Sequence, residues 1–238
     1  MYRRQSVSTE ALILRTVDYR DADRIVTLLT ERLGKISAVA RSARRSRRRF
    51  AGSLEPFAII KAEIDPGRGE IGALLEARIL RAYPGILEDL GRMSAAAGAL
   101  ELVARGTAER QPDPEVFRAT ASLFRLLDEG REPVEETLVS FRIRATALLG
   151  FAPDVDACGR CGRPATVRQA GLFDPVAGHL VCRACGGASI HLSAGSRRRL
   201  QLATGPGWEQ ALRKWPEKEL GQVRKAVDAF LRSHELSA

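Results

Sequence analysis

Alternation with a period of two dominates residues 8–83. Glu10–Arg15 is an apolar run, and Ile25, Val26, Leu28 and Leu29 crowd the stretch from Asp23 to Thr30. Gly34 marks a turn, after which Ile36, Ala38 and Ala40 alternate with Ser37, Val39 and Arg41. Further on, Ala58, Ile60, Ala62 and Ile64 share one face while Lys61 and Glu63 take the other. Asp65-Pro66-Gly67-Arg68-Gly69 spells a hairpin turn. Beyond it Ile71, Ala73, Leu75, Ala77 and Ile79 alternate against Gly72, Glu76 and Arg78. Five short strands in this span predict a small barrel, with an OB-type barrel preferred and an SH3-like barrel its competitor from pattern alone.

The period changes at Pro84. Ile86, Leu87, Leu90, Met93, Ala97, Leu100 and Val103 follow helical spacing up to Gly106. Asp113 reads as an N-cap with Pro114 at the first helical position, and Gly130 stops that helix. Pro133 opens the next, with Val134, Leu138, Phe141, Leu148 and Leu149 expected inward and Gly150 at its end. Ser193 caps a later helix, and Pro216 starts a final one with Leu220, Val223, Val227, Phe230 and Leu231 inward. The reading is therefore α+β: a nucleic-acid-binding barrel over residues 1–83, then an all-α domain over 84–238. A zinc ribbon at about 154–190 interrupts the helices, with Thr166–Leu172 and Phe173–Val181 as its short hairpin, and the helices after it are expected to pack back on those before it.

The ribbon is predicted from the cysteines. Cys158-Gly-Arg-Cys161 and Cys182-Arg-Ala-Cys185 hold all four cysteines of the chain, each pair followed directly by glycine. Two such turns can aim four thiolates at one ion and close its shell. Paired disulfides are the rival in an oxidising compartment, and a redox dithiol is the rival beside a parallel sheet. Neither context is evident. A catalytic zinc keeps a position open for water, which four thiolates do not leave; the ion is expected to be structural. His179 and His191 lie nearby and read as surface or supporting histidines.

Charge adds a partner class. The 238 residues carry a formal net charge of +9, distributed by segment. Residues 1–83 hold 17 Lys and Arg against 10 Asp and Glu, residues 84–150 hold 8 against 11, and residues 151–238 hold 13 against 8. Basic ends of this kind attract polyanions, nucleic acid first and a membrane surface second. The densest block is Arg41-Ser-Ala-Arg-Arg-Ser-Arg-Arg-Arg49, where Arg41, Arg44, Arg45, Arg47, Arg48 and Arg49 make six arginines in nine positions. Guanidinium groups pair with phosphate through a fork of donors, and counterion release drives the binding. Aromatic platforms are scarce. Phe57 is expected in a strand and in the core, while Tyr19 and Phe50 are the candidate base stackers. Arg197, Arg198 and Arg199 form a second basic group, read either as a solvated helix face or as a contact for DNA or an acidic peptide.

No phosphate-binding loop, dinucleotide glycine motif, His-Glu-x-x-His or nucleophile elbow occurs in the chain. Asp18, Asp21 and Asp23 cluster in one arginine-rich turn rather than a cleft, so no enzyme is expected. No apolar run is long enough to span a membrane, and the run after Arg3 and Arg4 is too short for a signal peptide, which points to the cytoplasm.

In this order the parts resemble the bacterial RecO family. The resemblance rests on Ala11-Leu-Ile-Leu-Arg15, Asp23-Arg-Ile-Val-Thr-Leu-Leu-Thr30, Gly34-Lys-Ile-Ser-Ala-Val-Ala-Arg41, Leu54-Glu-Pro-Phe57, Leu149-Gly-Phe-Ala-Pro153, the cysteines, and Phe173-Asp-Pro-Val-Ala-Gly178. It implies an OB-fold, a helical domain and a zinc ribbon. It also implies a recombination mediator of the RecF pathway that binds single- and double-stranded DNA and anneals complementary strands. Such a protein helps RecR load RecA onto strands coated by single-strand binding protein (SSB). RecR, the acidic C-terminal tail of SSB and RecF are the partners implied, at the bacterial nucleoid. The residues carried over are Cys158, Cys161, Cys182 and Cys185 as zinc ligands and Arg41–Arg49 as the DNA contact. Two other classes stay open: a barrel-plus-ribbon factor associated with RNA or transcription, and a zinc-dependent hydrolase or nuclease.

Overall fold

Strand β1 (Val7–Tyr19) is the seam of the first half, pairing antiparallel with β2 (Asp23–Thr30) on one side and β4 (Ala58–Asp65) on the other. With β3 (Gly34–Ala40) and β5 (Ile71–Ala82) these form a closed barrel of order β1-β2-β3-β5-β4, in which only the β3–β5 pair is parallel. That is the OB connectivity, and it decides against the SH3-like alternative. The computed structural model describes residues 6–46, 48–50 and 52–236.

The alternation read in β3 and β4 places Ile36, Ala38, Ala40, Ile60, Ala62 and Ile64 in the barrel core. Strand β5 departs from its expected face. Ile64 pairs with Leu74 but Glu63 with Glu76, so Leu75 is the extra residue of a bulge. Gly72 and Leu74 are buried before the bulge and Ala77 after it, whereas Ile71 and Ile79 lie on the surface. The β2–β3 turn is closed by Thr30, whose hydroxyl donates to the Gly34 carbonyl at 3.0 Å and accepts from the Leu33 amide at 2.8 Å. Gly34 has φ +69°, and a Cβ there would collide with the Gln111 backbone, so glycine is required twice over.

Backbone packing divides the chain into two units. One comprises the residues through Met93 together with Val103–Asp128; the other comprises Ser94–Leu102 and the residues from Glu129 onward. A cut at residue 83 separates strands from helices along the chain, but helix α3 (Pro114–Glu129) groups with the barrel. Its start is capped as expected, with the Val116 amide donating to Asp113 Oδ1 at 3.1 Å. Phe124 of α3 meets Phe57 and Tyr83 edge to face, at 5.8 and 5.6 Å between centroids. Phe57 is buried as expected but precedes the strand, in a left-handed conformation at φ +66°. Helices α1 (Pro84–Leu87) and α2 (Leu90–Gly106) replace the single expected helix, and Leu87 and Leu90 are exposed rather than inward.

In the second unit, β6 (Asp154–Cys158), β7 (Gly171–Asp174), β8 (His179–Val181) and β9 (Ile190–Leu192) form a sheet of order β6-β8-β7-β9. It lies in sequence between α4 (Val134–Leu148) and the pair α5 (Ala194–Thr204) and α6 (Glu217–Ser233). The late helices return to the early one: Arg142 of α4 donates to Asp228 of α6 at 2.8 Å, and Phe141 packs on Trp208. Ser193 caps α5, accepting from the Ser196 amide at 3.1 Å. No helix among the described residues is long and apolar enough to cross a membrane.

Candidate nucleic-acid interface and metal centre

The arginine block leaves the barrel at the end of β3. Ser42 takes a left-handed conformation at φ +56°, and its amide donates to Asp23 Oδ1 at 2.8 Å. Ala43–Arg45 then make one 3₁₀ turn. The segment is anchored by Phe50, which is 1% exposed and belongs to the barrel core. Phe50 is therefore not a base stacker: burial of the ring, worth about 1.5–3 kcal/mol, ties the loop down. Around it Ser53 Oγ donates to the Phe50 and Ala77 carbonyls, each at 2.9 Å, and the Ala77 amide donates to the Arg49 carbonyl at 2.9 Å.

The arginines do not share one environment. Arg41, Arg45 and Arg48 are exposed, with no side-chain partner among the described residues. Arg44 is drawn back to the β1–β2 turn, with Nη1 donating to the Asp21 carbonyl at 3.4 Å and Nε 3.9 Å from Asp18. Arg49 stacks on Phe50, its guanidinium carbon 5.1 Å from the ring centre, and donates to the Arg41 carbonyl at 2.9 Å. Arg47 lies outside the described residues. The three aspartates of the β1–β2 turn thus serve the loop. Asp18 also accepts from Arg24, which reaches Glu55 as well, both at 3.1 Å. Spent on ion pairs and a backbone amide, Asp18 and Asp23 do not converge as metal ligands.

Beside the loop lies an open cleft of about 730 Å³, which the residue pattern did not reveal. The β1–β2 turn supplies Tyr19, Arg20 and Asp23, the barrel wall Ile25, Val39 and Ile71, the end of β3 Arg41, and the β4–β5 hairpin Asp65 and Gly67. That hairpin is held in place from outside the barrel by Arg110, whose Nη2 donates to the carbonyls of Pro66 at 2.8 Å and Gly69 at 2.5 Å.

The four cysteines converge as expected. The Sγ atoms of Cys158, Cys161, Cys182 and Cys185 all lie within 4.8 Å of one another, and the Cys161–Cys182 pair is 3.9 Å apart. Sulfurs about 2.3 Å from a central zinc in a tetrahedron would stand about 3.8 Å apart. The Cys182 amide donates to Cys158 Sγ at 3.4 Å. That bond, followed by the Cys161 amide, lowers the Cys158 thiol to about 6. Cys182 is also lowered, first by the Cys185 amide. Cys185 is pushed up to about 12, first by its bond to the Cys182 sulfur and then by Cys161. The first proton leaves readily and the last is held by crowding of sulfurs, which a central dication would relieve. The residues fit a divalent ion bound by four thiolates. His179 has its ring over Gly159, where a Cβ would strike it, and His191 Nδ1 meets Gln222 Nε2 at 3.2 Å; the four sulfurs complete a tetrahedral shell without either.

The second basic group separates into three roles. Arg197 is 2% exposed and cannot meet DNA or a peptide; its expected contact role is corrected. Nε and Nη2 donate to the Val155 carbonyl at 3.0 and 2.8 Å, and Nη1 donates to the Thr166 and Gln169 carbonyls at 2.9 and 2.7 Å. Burial lowers its pKa, with Asp156 opposing. Arg199 is half-withdrawn, paired with Glu219 at 3.4 Å and lying over Trp215. Arg198 alone is exposed.

Family models match both halves of the chain: Recombination protein O N terminal over residues 4–83 and Recombination protein O C terminal over residues 87–236. The DNA repair protein RecO of Pelobacter propionicus is 40% identical over 225 residues, covering 94% of this chain and 90% of its own. That of Geobacter metallireducens is 39% identical over 206 residues, covering 84% and 82%. That of Anaeromyxobacter sp. strain K is 35% identical over 233 residues, covering 96% and 91%.

Proposed function

The chain belongs to the recombination protein O (RecO) family of DNA repair proteins, and from that premise we propose that it is a recombination mediator without catalytic chemistry of its own. It binds single- and double-stranded DNA, anneals complementary strands, and with RecR helps load RecA onto single strands coated by SSB. Residues 1–83 act as the DNA-binding domain, and residues 84–238 form the helical domain, braced by one structural zinc ion on Cys158, Cys161, Cys182 and Cys185. RecR, RecF and the acidic SSB tail are its partners, on the bacterial nucleoid. Arg198 is the candidate contact for that tail, because it is the exposed member of its triplet.

One observation carries the DNA reading: Arg41, Arg45 and Arg48 project from an anchored loop with their guanidinium groups uncommitted among the described residues. Annealing requires two polyanions to approach while their base edges stay free. A dense guanidinium surface screens the repulsion through phosphate contacts and leaves the edges available.

The test is annealing and binding of complementary oligonucleotides at several salt concentrations, with Arg41, Arg44, Arg45, Arg47, Arg48 and Arg49 intact or replaced by alanine. Each lost phosphate contact should reduce the slope of log K against log salt by about 0.7 on single strands and 0.9 on duplex. Superimposable curves would reject the loop as the DNA contact. An RNA oligonucleotide of the same sequence, bound more tightly than DNA, would favour the RNA-associated reading instead.

A further inference from the structure

Helix α6 buries Val223, Val227, Phe230 and Leu231 and leaves Lys218, Lys225 and Arg232 exposed at intervals of seven residues. Gly221 and Ala229 stand between them, so positions 218, 221, 225, 229 and 232 advance by three or four along one line of the helix. We infer that this row is a second nucleic-acid surface, which takes a sugar–phosphate backbone without reading its bases, so that the chain holds one strand at the arginine loop and another on α6. The inference rests on the DNA-binding reading and adds a surface in the unit that does not contain the barrel.

The carboxylates that could neutralise the row are committed elsewhere. Asp228 pairs with Arg142 of α4 at 2.8 Å, and Glu219 with Arg199 of α5 at 3.4 Å. Arg224, the other cation of the helix, is itself matched by Glu135 at 2.5 Å. Glu217 lies in the first turn, where it complements the positive end of the helix. One position from Lys218, it does not face that side chain. Glu235 comes after the helix has ended. Lys218, Lys225 and Arg232 have no ion pair among the described residues.

The spaces between the cations select the partner. Gly221 has open space where a side chain would stand, and Ala229 adds only a methyl group. Among the described residues, no large apolar side chain is exposed on α6. A basic helix that lies on a membrane immerses apolar side chains from beside its cations, and a protein partner needs an aromatic or aliphatic anchor. The row offers neither. A polymer of repeated phosphates needs only cations at regular intervals and a surface it can approach closely. The three cations lie about 10 Å apart along the axis and span about 20 Å, a length over which a DNA strand presents several phosphates. Two of them are lysines, whose compact charges impose no single orientation on a phosphate. Strands held by their phosphates on separate surfaces keep their base edges free to pair, which suits annealing.

The test uses the full chain and two non-complementary DNAs: a single strand tethered to beads, and a fluorescein-labelled partner supplied as single strand or duplex. The wild type should retain the labelled DNA on beads that carry the tethered strand, and the form retained more tightly is the one α6 takes. Lys218→Gln, Lys225→Gln and Arg232→Gln together should cut that retention about tenfold, for the loss of about three phosphate contacts, while the chain still binds the tethered strand. All three side chains are exposed, so thermal unfolding should not move. An equal loss of charge on the ribbon, through Arg163→Gln, Arg168→Gln and Arg183→Gln, should leave retention intact. A wild type that binds the tethered strand but retains no second DNA overturns the inference and leaves the arginine loop standing. So does an α6 variant that retains the second DNA in full, or a ribbon variant that loses it equally. Loss of binding to phosphatidylglycerol vesicles in the α6 variant, with DNA retention unchanged, overturns it in favour of a membrane surface. A wild type that binds no strand at all removes both readings together.

Discussion

Arg197 in α5 and Val155 in β6 are joined by a fork: two guanidinium nitrogens donate to one carbonyl, at 3.0 and 2.8 Å. The third nitrogen closes the Thr166–Gln169 turn. One side chain thus serves the carbonyls of Val155, Thr166 and Gln169, with a longer contact to that of Ala165 at 3.4 Å, and clamps the ribbon to the helix that follows it.

Arg197→Met should therefore destabilise the second unit without altering any DNA contact. Each buried acceptor left unpaired costs about 1–3 kcal/mol, and a net loss of about 3 kcal/mol is expected in denaturant unfolding. Arg197→Lys should recover little, because an ammonium group cannot reproduce the fork. Wild-type stability in both variants would mean the clamp contributes nothing. Charge reversal of the whole 197–199 triplet would confound unfolding with lost binding, so Arg198→Glu is the informative change for an acidic-tail contact.

Asp18 holds back part of the arginine block. Its carboxylate lies 3.9 Å from Arg44 and 3.1 Å from Arg24, and Arg24 keeps Glu55 when Asp18 is neutralised. Asp18→Asn should tighten DNA binding and steepen the salt dependence by up to one phosphate contact, about 0.7–0.9 in slope. A decrease in affinity would show that Asp18 orients the loop more than it competes for it.

Phe50 separates anchoring from stacking. Phe50→Ala should cost about 3–5 kcal/mol through the cavity left in the barrel. Its effect on DNA should vanish for Phe50→Leu, which keeps most of the buried volume without a ring. If Phe50→Leu weakened single-strand binding at unchanged stability, the buried ring would have a direct role.

Removal of the metal should be felt locally. Cys182→Ser, or chelation of the wild type, should abolish stoichiometric zinc and lower amide-exchange protection in β6, β7 and β8, because a site with four ligands contributes its binding energy to folding. Protection in β1–β5 should persist. Equal loss in the barrel would show that the ion stabilises far more than the ribbon.

Much of the architecture was legible because it depends on neighbours in sequence. The caps at Asp113 and Ser193 and the turn at Gly34 are formed by residues within a few positions of one another. The Cys-x-x-Cys spacing carries its chemistry whatever the surroundings. Strand β3 kept strict alternation and β4 kept it from Ile60 onward, so those buried faces could be read directly.

The misread residues depend on remote partners instead. The face of β5 changes at Leu75 because the pairing with β4 absorbs an extra residue there. Phe50 and Arg197 look like surface residues within arginine runs, but Phe50 fills space among strands from the whole barrel, and Arg197 meets carbonyls 28 to 42 positions away. The sequence alone determined the barrel strands, the clustered cysteines and the cationic character. Tertiary packing decided which arginines remain free for a polyanion and created the cleft at Tyr19. Burial and pocket shape arise from segments brought together only by folding, and no local window contains them.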